Sequence, residues 1–142
     1  MTATNMQELQ TMLMGEIRKA MGVVSEKALA DMYEETAGFY SGGEPDEYER
    51  TGALGDTPRT TAIENTGNGM KFEAFLDTNH KYDTGKNPPM LDVLYLANDQ
   101  ITDSSVGWLR ENVGSEGFWE RAVEKIGNDF ESTFFQFFNA RY

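Results

Sequence analysis

The feature that most constrains this chain is a helical period of some thirty residues near its start. Beginning at Asn5, the apolar residues Leu9, Leu13, Ile17, Met21, Val24, Ala28 and Met32 recur at threes and fours, the spacing that lines up one face of an α-helix. Asn5 is an N-cap by residue type, and Glu8, three residues on, is its expected capping partner. Helix formers dominate up to Glu35, and Gly38 marks the expected end. At ~1.5 Å per residue such a helix is ~45 Å long, more than the diameter of a compact domain of this size. A helix so long usually finds part of its contact on another chain. Gly15 and Gly22 each cost roughly 1 kcal/mol relative to Ala, or else permit close approach of a second helix.

Past the helix, Thr36 to Asp56 reads as a loop with Phe39, Tyr40 and Tyr48 as apolar pins. Arg59 to Asn65 and Met70 to Asp77 then read as the two arms of a hairpin. Met70, Phe72, Ala74 and Leu76 share one face, while Lys71, Glu73 and Asp77 share the other. Thr66-Gly67-Asn68-Gly69 supplies the turn, and Pro58, which has no N–H for a ladder, marks the strand's start. A second loop runs from Asn79 to Pro89. Met90 to Asn98 is predicted as a short helix with Met90, Val93, Leu94 and Ala97 on one side, and Pro89 suits its first turn. Ile101 to Gly117 fits either a short strand or a helical turn. A last amphipathic helix starts near Gly117, with Phe118, Trp119, Ala122, Val123, Ile126, Phe130, Phe134, Phe137 and Phe138 in a wide aromatic stripe interrupted by Gly127. The expected fold is therefore α+β in a single domain, residues 1–142. A long N-terminal helix packs on a small, mostly antiparallel sheet, with a C-terminal amphipathic helix.

Composition removes several classes of function. The net charge is −12, which opposes both nucleic-acid binding by phosphate neutralisation and attraction to anionic lipid. No apolar run approaches the ~20 residues of a membrane span, so no membrane partner is expected. The N-terminus lacks a basic start and an apolar core, so no signal peptide is expected. There is no cysteine, which rules out a disulfide frame and any thiolate site and is compatible with assembly in a cytoplasm. With one histidine in the chain, a metal site of several imidazoles is impossible. His80 near Asp83 could form an acid–base pair, but no nucleophile motif or oxyanion loop accompanies it, and a structural histidine is the simpler reading. Glu44, Asp46, Glu47 and Glu49 suggest calcium by type but lack the EF-hand spacing. The expectation is a chain without enzymatic activity and without cofactors.

Two stretches point to assembly. The stripe on the last helix is broad: Phe134, Phe135, Phe137 and Phe138 cover more of the helix than one sheet easily hides. They are either intramolecular core or contacts on a neighbouring subunit, where aromatic residues are enriched. The other stretch is Tyr48-Glu49-Arg50-Thr51-Gly52-Ala53-Leu54, between the long helix and the hairpin. It reads as a turn with a glycine able to take positive φ and an apolar anchor in Leu54. Arg50 is placed to hold a carboxylate, with Glu34, Glu35 and Glu49 as candidates.

A Tyr-x-Arg-Thr-Gly-x-Leu run after a long helix resembles the head–tail joining proteins of tailed bacteriophages, the small neck and tail-completion proteins. The likeness continues in order through the hairpin, Tyr82 to Gly85 and the closing helix, and is weakest from Pro88 to Gly114. It implies a structural virion protein of the neck, acting in tail completion or as a tail terminator. It also implies a homo-oligomeric ring, commonly six-fold, assembled in the host cytoplasm beside other neck and tail proteins, with DNA passing through unbound. On that reading Tyr48, Arg50, Thr51, Gly52 and Leu54 form the motif turn and a candidate interface. Glu44, Asp46, Glu47 and Glu49 then either line an acidic lumen that repels phosphate or simply confer solubility. The competing classes are an acidic DNA mimic that inhibits a host nucleic-acid-binding enzyme and a hydrolase using His80.

Overall fold

The computed structural model describes residues 2–41, 52–80 and 117–141, together with Met90 and Leu94. Helix α1 spans Met6–Ser41, a 3₁₀ turn covers Ala53–Asp56, strands β1 (Pro58–Thr60), β2 (Glu64–Asn65), β3 (Met70–Lys71) and β4 (Ala74–Leu76) follow, and helix α2 spans Phe118–Asn139. The architecture is α+β, a long N-terminal helix with a small antiparallel strand set and a C-terminal amphipathic helix.

Helix α1 starts where its residue types direct. The Glu8 amide donates to Asn5 Oδ1 at 2.9 Å and the Leu9 amide to the Asn5 carbonyl at 3.0 Å, so Asn5 is the N-cap. The expected return bond from Glu8 to the Asn5 amide is replaced by one a residue further back. Glu8 Oε2 accepts from the amide of Thr4 at 2.7 Å and from its hydroxyl, which holds the Glu8 carboxyl below its ordinary range. At the other end the helix does not stop at Gly38. It runs 36 residues, to Ser41, or ~54 Å at the usual rise. Continuing through the glycine brings Phe39 into the core, where its ring meets Phe118 edge-on at 5.8 Å and Tyr40 at 5.5 Å. Burial of a phenylalanine, ~1.5–3 kcal/mol, exceeds the roughly 1 kcal/mol that an internal glycine costs. The expected loop from Thr36 to Asp56 is therefore helix up to Ser41 and a 3₁₀ turn at its far end.

That turn begins at Gly52, whose φ is +78°. The Gly55 amide donates to the Gly52 carbonyl, and the Thr57 amide and hydroxyl both donate to the Leu54 carbonyl. The tight reversal drives Ala53 and Leu54 into a cluster with Phe39, Met90, Leu94 and Phe118, edged by Tyr40, Leu76 and Trp119. Met90 and Leu94, four residues apart, are both helical and both buried; the rest of the predicted Met90–Asn98 helix lies outside the described residues, as does 101–116.

The hairpin forms, but as two short ladders. β1 pairs with β4 in the register Pro58↔Leu76 and Thr60↔Ala74; β2 pairs with β3 in the register Glu64↔Lys71 and Asn65↔Met70. Residues 61–63 face only 72–73, so the first arm carries one extra residue, a bulge. Thr61 stabilises it: its amide donates to the Glu73 carbonyl at 2.9 Å, and its hydroxyl accepts the Glu73 amide at 2.8 Å. A one-residue offset inverts the faces of a strand. Here it turns Ile63 rather than Ala62 toward α1, and a Cβ on Gly22 would sit 3.9 Å from Ile63 Cδ1. Arg18 secures the same arm from α1, donating to the Ile63 carbonyl at 3.0 Å and to Asn65 Oδ1 at 2.7 Å. In the second arm Met70, Phe72, Ala74 and Leu76 are half-buried, as the alternation requires, and the intervening Lys71, Glu73 and Phe75 are exposed.

Gly52 and Gly127 offer a paired test of this geometry. A Cβ at either would meet nothing within 4 Å, so packing is not at stake. Gly52→Ala should lower stability by ~1–2 kcal/mol because of its left-handed backbone. Gly127→Ala, in a helix, should raise it by ~1 kcal/mol. Urea denaturation of both variants checks the signs; a stabilised Gly52→Ala would contradict the turn.

Candidate functional site: the face and free end of the helix pair

α1 and α2 lie side by side and antiparallel, and the sense is fixed by charge pairs. Arg121 Nε donates to Glu35 Oε2 at 2.9 Å, and Lys125 Nζ donates to Glu34. Lys27 Nζ lies 3.2 Å from Asp129 Oδ2, and Arg141 lies 3.5 Å from Glu16. As the number rises on α2 it falls on α1. Between the charges the contact is made of small and flexible apolar residues: Ala20, Val24, Ala28, Met32 and Ala122 are all buried. Part of the last helix therefore finds its cover on α1, by helix-on-helix packing.

The most demanding member of this contact is Asp31. Its side chain is fully buried. Oδ1 accepts from Lys27 Nζ at 2.5 Å, and Oδ2 has no hydrogen-bond partner. Lys27 thus stands between Asp31 and Asp129. Burial, joined by the neighbouring Asp129 carboxyl, pushes the Asp31 carboxyl above its ordinary range in spite of Lys27. The hydrogen bond from Lys27 holds Asp129 below that range, and bonds to Asp31 and Asp129 raise Lys27. This cluster escapes a reading based on apolar period alone, although Lys27 and Asp31 stand four apart, a spacing that pairs charges on a helix.

The phenylalanines form a ridge along the flank of α2. Phe130 and Phe134 stack with ring centroids 6.3 Å apart and planes 6° from parallel. Phe134 meets Phe138 at 5.2 Å and Phe135 edge-on at 5.8 Å; Phe137 meets Phe138 at 5.3 Å. The Arg141 guanidinium lies 4.4 Å over the Phe137 ring, a cation–π contact. Despite this mutual contact Phe130 and Phe135 remain exposed, while Phe134, Phe137 and Phe138 are half-buried.

Of the sequence-derived motif turn, Gly52 takes its left-handed conformation and Leu54 is a core residue, which makes Leu54 a structural anchor rather than a free contact. Tyr48, Arg50 and Thr51 lie outside the described residues, as does the acidic stretch Glu44, Asp46, Glu47 and Glu49. Two of the carboxylates considered for Arg50, Glu34 and Glu35, bond Lys125 and Arg121. His80 sits 4.0 Å from Asp56; Asp83 lies outside the described residues. No group of acids and histidines able to hold a metal occurs among the described residues, and no helix among them is long and apolar enough to cross a membrane. Comparisons with models of known families, with curated proteins and with solved structures find no match.

The Asp31 cluster predicts a pH dependence of stability. A carboxyl whose pKa is raised by folding favours the folded state below its ordinary range. That contribution is lost as pH rises through the ordinary range to the raised value. Asp129, lowered by folding, contributes in the opposite sense: its stabilisation is present above the ordinary range and is lost as pH falls. Asp31→Asn should therefore lose less stability than the parent between acid and neutral pH, and Asp129→Asn should lose more. Urea midpoints followed across that window check both; a parallel shift of all three profiles would contradict the assignment.

Proposed function

We propose that this protein is a structural, non-catalytic component of the neck of a tailed-phage virion. It joins head to tail as a tail-completion or tail-terminator protein and acts as a ring of identical copies beside other neck and tail proteins. The observation that carries this reading is the phenylalanine ridge of α2, with Phe130 and Phe135 exposed on a chain of net charge −12. A protein so charged keeps its copies apart wherever carboxylates face outward. An exposed aromatic ridge is the kind of surface on which subunits meet. The resemblance of Tyr48 to Leu54 to the neck proteins supplies the biological setting, and the left-handed Gly52 suits the turn that the motif needs.

Light scattering with negative-stain imaging tests the ring. The parent should form a closed ring whose mass is a multiple of 16.0 kDa. Phe130→Glu with Phe135→Glu, both at exposed positions, should leave the fold intact and dissolve the ring. A parent that stays monomeric at every concentration, or a ring indifferent to these changes, would overturn the proposal. The acidic stretch has its own test in reconstituted particles. Replacing Glu44, Asp46, Glu47 and Glu49 by Lys should spare the ring and slow DNA ejection, because a basic wall gains affinity for the strand by counterion release. Unchanged ejection would leave those charges a role in solubility alone.

A further inference from the structure

The face of α1 that α2 covers does not end where α2 ends. Met6, Leu9, Leu13, Glu16, Ala20, Val24, Ala28 and Asp31 follow one another at intervals of three or four and so lie on one side of the helix. From Glu16 to Asp31 they are buried; Met6, Leu9 and Leu13 are 79%, 41% and 51% exposed. The cause is length. α2 ends at Asn139, and Arg141 reaches back to Glu16, so roughly ten residues of α1, ~15 Å of helix, run on past its partner. This overhang is uncharged from Leu9 to Gly15, and the neighbouring end of α2 is uncharged from Ser132 to Ala140. Two carboxylates border it, and both are engaged: Glu8 by Thr4 and Glu16 by Lys19 and Arg141.

We propose that the overhang docks a second copy of this chain: residues 6–13 of two α1 helices overlap antiparallel about a two-fold axis, each seam covering the other. Three features select this occupant. The contact continues one already formed, since an incoming α1 running antiparallel to the first takes up the track that α2 leaves and faces the same seam. Its N-terminus then abuts the C-terminal end of the first copy's α2, setting the positive end of one helix dipole against the negative end of another. The electrostatics agree: two chains of net charge −12 approach most easily where the carboxylates are few and already engaged, as Glu8 and Glu16 are here, whereas a basic partner would be drawn to the acidic surfaces elsewhere. The contact is isologous, each residue meeting the same set on its mate. With three main side chains per copy it buries well under the ~800 Å² per partner of a standard interface, so it forms reversibly with an affinity no tighter than micromolar. Its main side chains, Met6, Leu9 and Leu13, are not those of the phenylalanine ridge, and it does not rest on the neck reading.

Because a two-fold contact joins two of whatever unit carries it, its signature is a factor of two in mass. Analytical ultracentrifugation of the full chain, from micromolar to near-millimolar concentration, should show the parent's smallest unit, monomer or ring, passing reversibly to twice its mass. Leu9→Glu with Leu13→Glu should abolish that doubling while leaving the circular dichroism and the urea midpoint near those of the parent. Ala30→Glu with Ala37→Glu, the same charge at exposed positions away from the seam, should leave it in place. Since the chain has no cysteine, Leu9→Cys should oxidise to a covalent pair and Ala37→Cys should not. A parent that never doubles, a doubling that survives the seam substitutions, or equal cross-linking at both positions would overturn the proposal. Failure of the ring would appear separately, as a parent whose heaviest species is a simple dimer.

Discussion

Everything in this structure hangs on how one long helix accepts a second, and the least forgiving part of that contact is a buried carboxylate. Asp31 is fully buried, with Lys27 on one oxygen and the Asp129 carboxyl beside it. A buried ion pair is rarely a large net source of stability, because desolvation offsets most of the attraction. It does penalise alternatives. The apolar part of the seam is built on alanines, which would tolerate a slip of one helical turn. Such a slip would separate Lys27 from Asp129, Arg121 from Glu35 and Lys125 from Glu34 together, leaving Asp31 beside a less balanced field. The charges set the register that the small side chains leave open.

From that register the rest of the surface follows. One end of the helix pair is closed by Phe39, Leu54, Met90, Leu94 and Phe118, with the left-handed turn at Gly52 delivering Leu54 to the cluster. The bulged hairpin lies on another side of α1, held by Arg18 and turned so that Ile63 faces the helix. Among the described residues the opposite end of the pair is left open, since α1 outruns α2. The phenylalanine ridge occupies the flank. An assembling protein needs surfaces of this sort, firmly held but incompletely covered, and a cleft with convergent polar groups is not required of it.

Much of the fold was legible in the residues. The period from Leu9 to Met32 and the stripe from Phe118 onward predicted both helices, Asn5 its cap, and Thr66 to Gly69 the turn, because each depends on local spacing. What was not legible depended on distant partners. Gly38 reads as a stop until Phe118 is known to await Phe39. The bulge needs Thr61 to meet Glu73 across the hairpin. Ion pairs between elements cannot be read from one helix at a time, so Glu34, Glu35 and Asp129 carried no signal beyond their charge. Among the candidate contacts, the breadth of the aromatic stripe was visible, but not that α1 would bury its Phe118 and Ala122 end and leave Phe130 and Phe135 exposed.

The antiparallel, in-register pairing of α1 and α2 is the claim on which the two proposed assembly surfaces both stand. With no cysteine in the chain, spin labels can be placed one pair at a time at exposed positions. A label at Val23 and one at Ser132 should lie nearly level across the pair. Ala37 is displaced from Val23 by fourteen residues along α1, or ~21 Å. Pulsed electron paramagnetic resonance on the two label pairs should give a clearly shorter distance for 23/132 than for 37/132. Equal distances, or a shorter 37/132, would contradict the arrangement.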